Sequence, residues 1–198
     1  MTAEPRTWAG RTLSDRRDER RRRLLDAGID LLGGADGEVI GVRSVCRRAK
    51  LTERYFYESF ADRDALVMAV YDDVAAQAHQ VLVDAVTAAP DRRALAEAAV
   101  TAFVDLILDD PRKGRVLLLA PMTDASLFGR GIELVPGFAA LVKAQLPAGV
   151  DEPERAMAAI GQVGALTHLF IAHLDGTLVV PRERLVAHCV RQLLRAGT

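Results

Sequence analysis

Apolar residues recur at helical spacing along almost the whole chain. Leu24, Ala27, Leu31 and Leu32 share one face of a helix that starts near Ser14 and stops at Gly33-Gly34. A Gly/Asp loop from Gly33 to Gly41 follows. Val42, Val45, Cys46 and Ala49 then show the i, i+3, i+4, i+7 spacing of a buried helix face, with Arg43, Arg47 and Arg48 off it. The turn Lys50-Leu51-Thr52 leads into a second short helix. Leu51 is expected to plug the core, and the Thr52 hydroxyl to cap the new helix. That helix buries Phe56 and Phe60, four residues apart, and turns Glu53, Arg54, Tyr55, Tyr57, Glu58 and Ser59 outward. Asp62 opens a long helix to Ala89, just before Pro90. It spans about 40 Å, enough to leave one domain and enter another.

Prolines divide the remainder. Asp91 caps a helix reaching Asp109-Asp110, and Pro111 starts a shorter one ending near Ala120. From Pro121 to Leu146 the pattern is helical but interrupted by Gly129, Gly131, Pro136 and Gly137. Asp151 caps a helix with Pro153 in its first turn, running to about Asp175, where Gly176 stops it. Pro181 opens the last helix. No segment has the alternating polarity of a strand. The expected fold is all-α: three N-terminal helices, a long connecting helix, and a larger helical body. The expected divisions are a disordered tail over 1–13, an N-terminal domain over 14–66 and a C-terminal domain over 67–198.

Half of the 198 residues are apolar, which is ample for a core, and only 5% are aromatic. There is no run of about 18 apolar residues, so no membrane span is expected. The arginine-rich N-terminus lacks the apolar stretch of a signal peptide. Cys46 and Cys189 fit no metal or redox spacing, and a reducing cytoplasm is the simplest home. The net charge of -1 favours no partner. Arg16 to Arg23 concentrate the positive charge, either as a solvated helix face or as a patch facing phosphates. His168 and His173, five apart, point about 140° from each other on a helix. No acid or cysteine completes a metal set, and no cofactor is expected. An enzyme is not expected either: there is no GxSxG elbow, no HExxH, no phosphate-cradling glycine loop, and only four serines.

Two short helices joined by a three-residue turn, the second rich in outward polar and aromatic groups, describe a helix-turn-helix. The major groove admits one such helix and brings its side chains to base edges and phosphates. Over Val42 to Leu66 the sequence resembles the DNA-binding signature of the TetR family of transcriptional regulators. The aromatic-rich recognition helix is matched by Tyr55-Phe56-Tyr57 and Phe60. The polar cap, basic residue and acid-Ala-Leu that follow are matched by Asp62-Arg63-Asp64-Ala65-Leu66. Lys50 stands where the family commonly has glycine, which requires a left-handed backbone or a different turn. Glu58 and Ser59 stand where the family often has His or Tyr.

This resemblance covers residues 14–75 strongly and implies roles by position. Tyr57 and Arg63 would reach phosphates of double-stranded operator DNA, and Arg43, Arg54, Tyr55 and Glu58 would face bases or their immediate backbone. Thr52 would cap the recognition helix and could touch a phosphate. The chain would be a repressor, working as a homodimer through its last two helices. Residues 156–174 are apolar nearly all round, with Gly161, Gly164 and Ala165 allowing close approach. The final helix offers Leu185, Val186, Cys189, Val190, Leu193 and Leu194. The middle helices would enclose a largely apolar small-molecule effector. Phe103, Met122, Phe128, Phe138 and His168 are candidate lining residues, with ordinary core packing the alternative for each. Ser126–Gly137 would be a portal or an irregular connection.

Overall fold

A computed structural model describes residues 13–35, 38–146 and 149–195. The expected tail, apart from Leu13, lies outside these residues. Among the described residues the chain is helical throughout: α1 (Leu13–Leu32), α2 (Val42–Ala49), α3 (Glu53–Tyr57), α4 (Arg63–Ala88), α5 (Arg92–Asp109), α6 (Pro111–Gly114), α7 (Ala120–Thr123), α8 (Phe128–Lys143), α9 (Glu152–Leu174) and α10 (Arg182–Arg195). A π-turn over Arg115–Leu119 joins α6 to α7, and a 3₁₀ turn over Ala125–Leu127 joins α7 to α8.

The starts of the long helices are set by acids at their N-caps. Asp62, Asp91 and Asp151 accept hydrogen bonds from the backbone N–H of Ala65 (2.8 Å), Ala94 (2.9 Å) and Glu154 (2.9 Å). Each carboxylate satisfies a donor that the helix leaves free and faces the positive end of its dipole. Gly176, at φ 82°, turns the chain out of α9 in a conformation that side chains resist.

Three cores hold the helices together, the smallest gathering Ala139 of α8, Leu146 and Ala159 of α9. The first gathers Leu24 of α1, Val45 of α2, Phe56 of α3 and Leu66, Val67 and Val70 of α4, all fully buried. It continues without a break into Val116, Leu117 and Leu127. The N-terminal three helices and the π-turn therefore share one apolar interior. The second packs Val104 and Ile107 of α5 on Phe170 of α9 and on Leu185 and Cys189 of α10.

Several expectations are corrected. α8 runs unbroken from Phe128 to Lys143 with Pro136 inside it, so the glycines there do not interrupt the helix. Its packing on α9 outweighs weak propensity. The apolar stripe of α10 is spent inside the chain: Leu185, Cys189 and Val190 are buried against α5, and Val186, Leu193 and Leu194 pack beside them. Its outward residues are Glu183, Arg184, Ala187, His188 and Arg191. α9 is different. Met157 and Ile160 are 60% and 55% exposed, and a side chain built at Gly161 or Gly164 would meet nothing within 4 Å. Ala125–Lys143 and Glu152–Leu174 are also long and apolar enough to cross a membrane by length and mean hydropathy (1.3 and 1.4). Counting uninterrupted apolar runs missed this, because scattered polar residues break the run and barely lower the mean.

Candidate nucleic-acid interface

The geometry of the helix-turn-helix is fixed at Lys50. Its backbone is left-handed (φ 53°, ψ 46°). That conformation lets the Lys50 N–H reach the Arg47 carbonyl (3.3 Å) and the Leu51 N–H reach Cys46 (3.0 Å), the bond pair of a Schellman cap. Arg23 of α1 donates to the Ala49 carbonyl and, at 3.4 Å, to that of Lys50, placing a cation on the negative end of α2. Thr52 holds the N-cap position of α3 with an extended backbone, but its hydroxyl makes no capping bond. The reason is local. The Tyr55 N–H that such a hydroxyl would bind is already taken, at 3.0 Å, by the Thr52 carbonyl. The hydroxyl is left at the exposed surface.

α3 is anchored by Phe56, which is fully buried, meets Tyr57 edge-on at 5.4 Å and lies 5.8 Å from Phe60. Arg43 and Arg54 project into solvent with side chains 92% and 84% exposed, and Tyr57 is 57% exposed. Their partners are loose surface pairs: Arg43 with Glu53 at 3.5 Å and Arg54 with Glu58 at 3.2 Å. Such pairs are worth little and yield readily to a stronger anion. Tyr55 is half-buried, its ring 4.5 Å beneath the Arg20 guanidinium. Glu58 is held through its carbonyl by Arg17 (3.0 Å) and through its carboxylate by Arg20 (3.6 Å) and Arg54.

The arginine run of α1 is thus neither a merely solvated face nor an uncommitted phosphate patch. Arg17, Arg20, Arg21 and Arg23 grip the helix-turn-helix from behind. Arg21 bonds the Ser59 carbonyl (3.1 Å) and covers the Phe60 ring (4.4 Å), while Arg22 pairs with Asp73 of α4 (3.3 Å). Sequence reasoning could not assign these partners, because the run reads the same whichever surface it meets.

Arg63, expected at a phosphate, is turned toward the body. It pairs with Asp64 (2.7 Å) and with both carboxylate oxygens of Asp124. Arg63 holds the Asp124 carboxyl below its usual range, with hydrogen bonds from Ser126 adding to the effect. A second contact was also invisible in the sequence. Arg112 pairs with Asp30 at the end of α1, Arg115 donates to the Gly33 carbonyl (3.2 Å), and the Arg112 backbone lies so close to Gly33 that no side chain fits there.

Within the body, α4, α5, the π-turn, α7, α8, α9 and α10 line a partly open cavity of about 430 Å³. Phe103, Met122, Phe138 and His168 line it. Phe128 does not: it opens α8 on the outside, 68% exposed. Tyr71 and Arg92, which sequence reasoning did not single out, line it as well. Tyr71 is 2% exposed, and burial pushes its hydroxyl up to about 12, with Asp72 adding to the effect. Burial also raises both thiols, that of Cys189 to about 11, and both cysteines behave as small apolar residues. Among the described residues no group of three or more His, Cys, Asp or Glu could hold a metal ion.

No family model and no curated protein matches the sequence. Solved structures match the fold closely. The fatty acid degradation regulator FadR from Bacillus halodurans superposes with a TM-score of 0.75 at 13% identity, covering 88% of this chain and 94% of that one. A TetR-family transcriptional regulator from Streptomyces coelicolor gives 0.72 at 13% identity over 90% and 80%. FadR from Bacillus subtilis, solved in complex with stearoyl-CoA, gives 0.68 at 13% identity over 89% and 97%. The fold is that of TetR-family transcriptional regulators, as the signature over Val42–Leu66 implied.

Proposed function

We propose that the protein is a sequence-specific DNA-binding transcriptional regulator of TetR type, acting in the cytoplasm as a repressor that a small molecule releases from a palindromic operator. The observation that carries this proposal is α3 itself. It is a short helix locked from behind by Phe56, the Lys50 turn and the α1 arginines, and it presents Arg54 and Tyr57 to solvent beside Arg43 of α2. Rigid mounting with unspent polar groups is what docking in a major groove requires. In this role Arg43 and Arg54 read base edges, and Tyr57 and Thr52 meet phosphates. Tyr55 and Glu58, already engaged by α1, adjust the angle of the helix as much as they touch DNA. Arg63 reaches a phosphate only after leaving Asp124.

One such helix reads only a few base pairs, so the unit is a homodimer with recognition helices about 34–36 Å apart. The exposed α9 stripe of Met157, Ile160, Gly161 and Ala165 supplies the apolar part of its interface, flanked by the polar outer face of α10. The cavity houses the effector, and its mostly apolar wall suits a mostly apolar molecule.

Selection from a random duplex pool at near-physiological salt tests this. Enrichment of a pseudo-palindrome is expected. Tyr57→Phe should weaken retention on all sequences alike, and Arg54→Ala should relax preference at one position per half-site, by about 1–3 kcal/mol. Retention without any enriched sequence would refute the specific-regulator assignment.

A further inference from the structure

The cavity is apolar but not electrically neutral. Arg92 lines it, and no Asp or Glu does. The residue is half-buried in the first turn of α5, with Leu95 and Ala96 beside it in the wall and Leu193 and Leu194 opposite. Body arginines such as Arg112, Arg130, Arg155 and Arg182 pair with carboxylates. Arg92 makes no ion pair among the described residues. Only its Nη2 is engaged, at 3.5 and 3.3 Å from the carbonyls of Leu193 and Leu194 in the last turn of α10. Asp91 next to it is committed to the Ala94 N–H. Nε and Nη1 of this planar, always charged group therefore have no acceptor among the described residues, and no described acid lines the space beside them. A half-buried cation in that position favours an anion, and its fork matches a carboxylate.

The rest of the wall says what the anion is attached to. On α4 the lining runs from Tyr71 through Leu82 to Val86, and on α5 from Arg92 to Phe103. Fifteen residues of helix separate Tyr71 from Val86, about 22 Å at 1.5 Å per residue. The lining therefore extends along α4 and α5 over a length that suits an extended chain. Its charged end is at Arg92, and the Phe103 and Phe138 rings lie along its course.

We infer that the effector is a straight-chain aliphatic acid, its carboxylate paired with Arg92 and its chain lying along α4 and α5 toward Tyr71. This rests on the cavity being the effector site. Titration calorimetry on the full chain tests it, with octanoate, dodecanoate and hexadecanoate against dodecan-1-ol, the uncharged equivalent of the middle acid. Dodecanoate should bind at least about tenfold more tightly than dodecanol, a difference of about 1.4 kcal/mol, and octanoate more weakly than the longer acids. Arg92→Gln should remove the preference for acid while leaving dodecanol affinity unchanged, and Arg92→Lys should keep part of it. Equal affinity for dodecanoate and dodecanol in the native protein would overturn the acid and leave the apolar effector site standing. So would an equal loss of both in Arg92→Gln, since Arg92 would then only be tying α5 to α10. Binding of none of these probes would overturn the inference and the effector-site assignment together.

Discussion

Arg63, the first residue of α4, closes on Asp124 with both of its terminal nitrogens. The pair joins two parts of the molecule 61 residues apart in sequence. Arg63 follows α3 after only five residues, and Asp124 follows Met122 in the cavity wall after one. A guanidinium held by this carboxylate cannot also sit on a DNA phosphate. Under the proposed function, a ligand that moved the cavity wall would bear on Arg63, and by reciprocity DNA that took Arg63 would bear on the wall.

Removing the competitor should therefore strengthen binding to DNA without changing what is read. Asp124→Asn is expected to raise effector-free affinity several-fold on specific and random duplexes alike. It should also steepen the dependence of log affinity on log salt by about one, the signature of one more phosphate contact. Fluorescence anisotropy over a salt series measures both. An unchanged slope would mean that Arg63 never reaches the backbone.

The same pair predicts a pH dependence. The Asp124 carboxyl lies below its ordinary value of 3.8 in the folded protein, chiefly because of Arg63. Its contribution to stability is thus fully present above 3.8 and is lost as pH falls through the lower folded value. Urea midpoints of the native protein and of Asp124→Asn should differ near neutrality and converge on acidification. A gap that stays constant with pH would show that the pair does not stabilise the fold electrostatically.

Lys50 carries backbone strain that glycine would not. Lys50→Gly should stabilise the chain by roughly 0.5–1 kcal/mol, the left-handed penalty less the added freedom of the unfolded chain. Lys50→Ala should give no such gain. Thermal midpoints of the three proteins decide the matter, and a destabilised glycine variant would mean that the lysine side chain itself holds the turn.

How much of this was legible in sequence follows from how local each cause is. The Asp62, Asp91 and Asp151 caps and the Val42–Ala49 face depend on residues within one turn and can be read from the string, whereas at Lys50 the string leaves a left-handed backbone and a different turn both open. The partners of Arg16–Arg23 and the Arg63–Asp124 pair join residues dozens of positions apart, and only packing decides them. α10 shows the limit well. Its apolar stripe is evident in the sequence, but nothing there says whether α5 or a second subunit covers it. Phe128 was misplaced for a related reason, since the unbroken course of α8 sets which side its first residue faces. Thr52 failed more subtly, because a backbone carbonyl took the donor first.

The exposed stripe on α9 yields the fourth prediction. Ile160→Arg is expected to leave helicity and thermal midpoint little changed while shifting sedimentation from dimer to monomer. Retention on a palindromic operator should fall further than retention on a half-site. A dimer that persists would place the interface on another surface.

The π-turn over Arg115–Leu119 makes chain length itself a functional variable. One residue more than an α-helical turn swings everything after it by about 100°. Val116 is then fully buried in the core shared with α1–α4, Leu117 and Leu118 stand between that core and the cavity, and Pro121 and Met122 lie in the cavity wall. Substitutions along this stretch would resculpt the chamber and alter what it accepts. Deleting a single residue would instead straighten the turn and carry Asp124 away from Arg63.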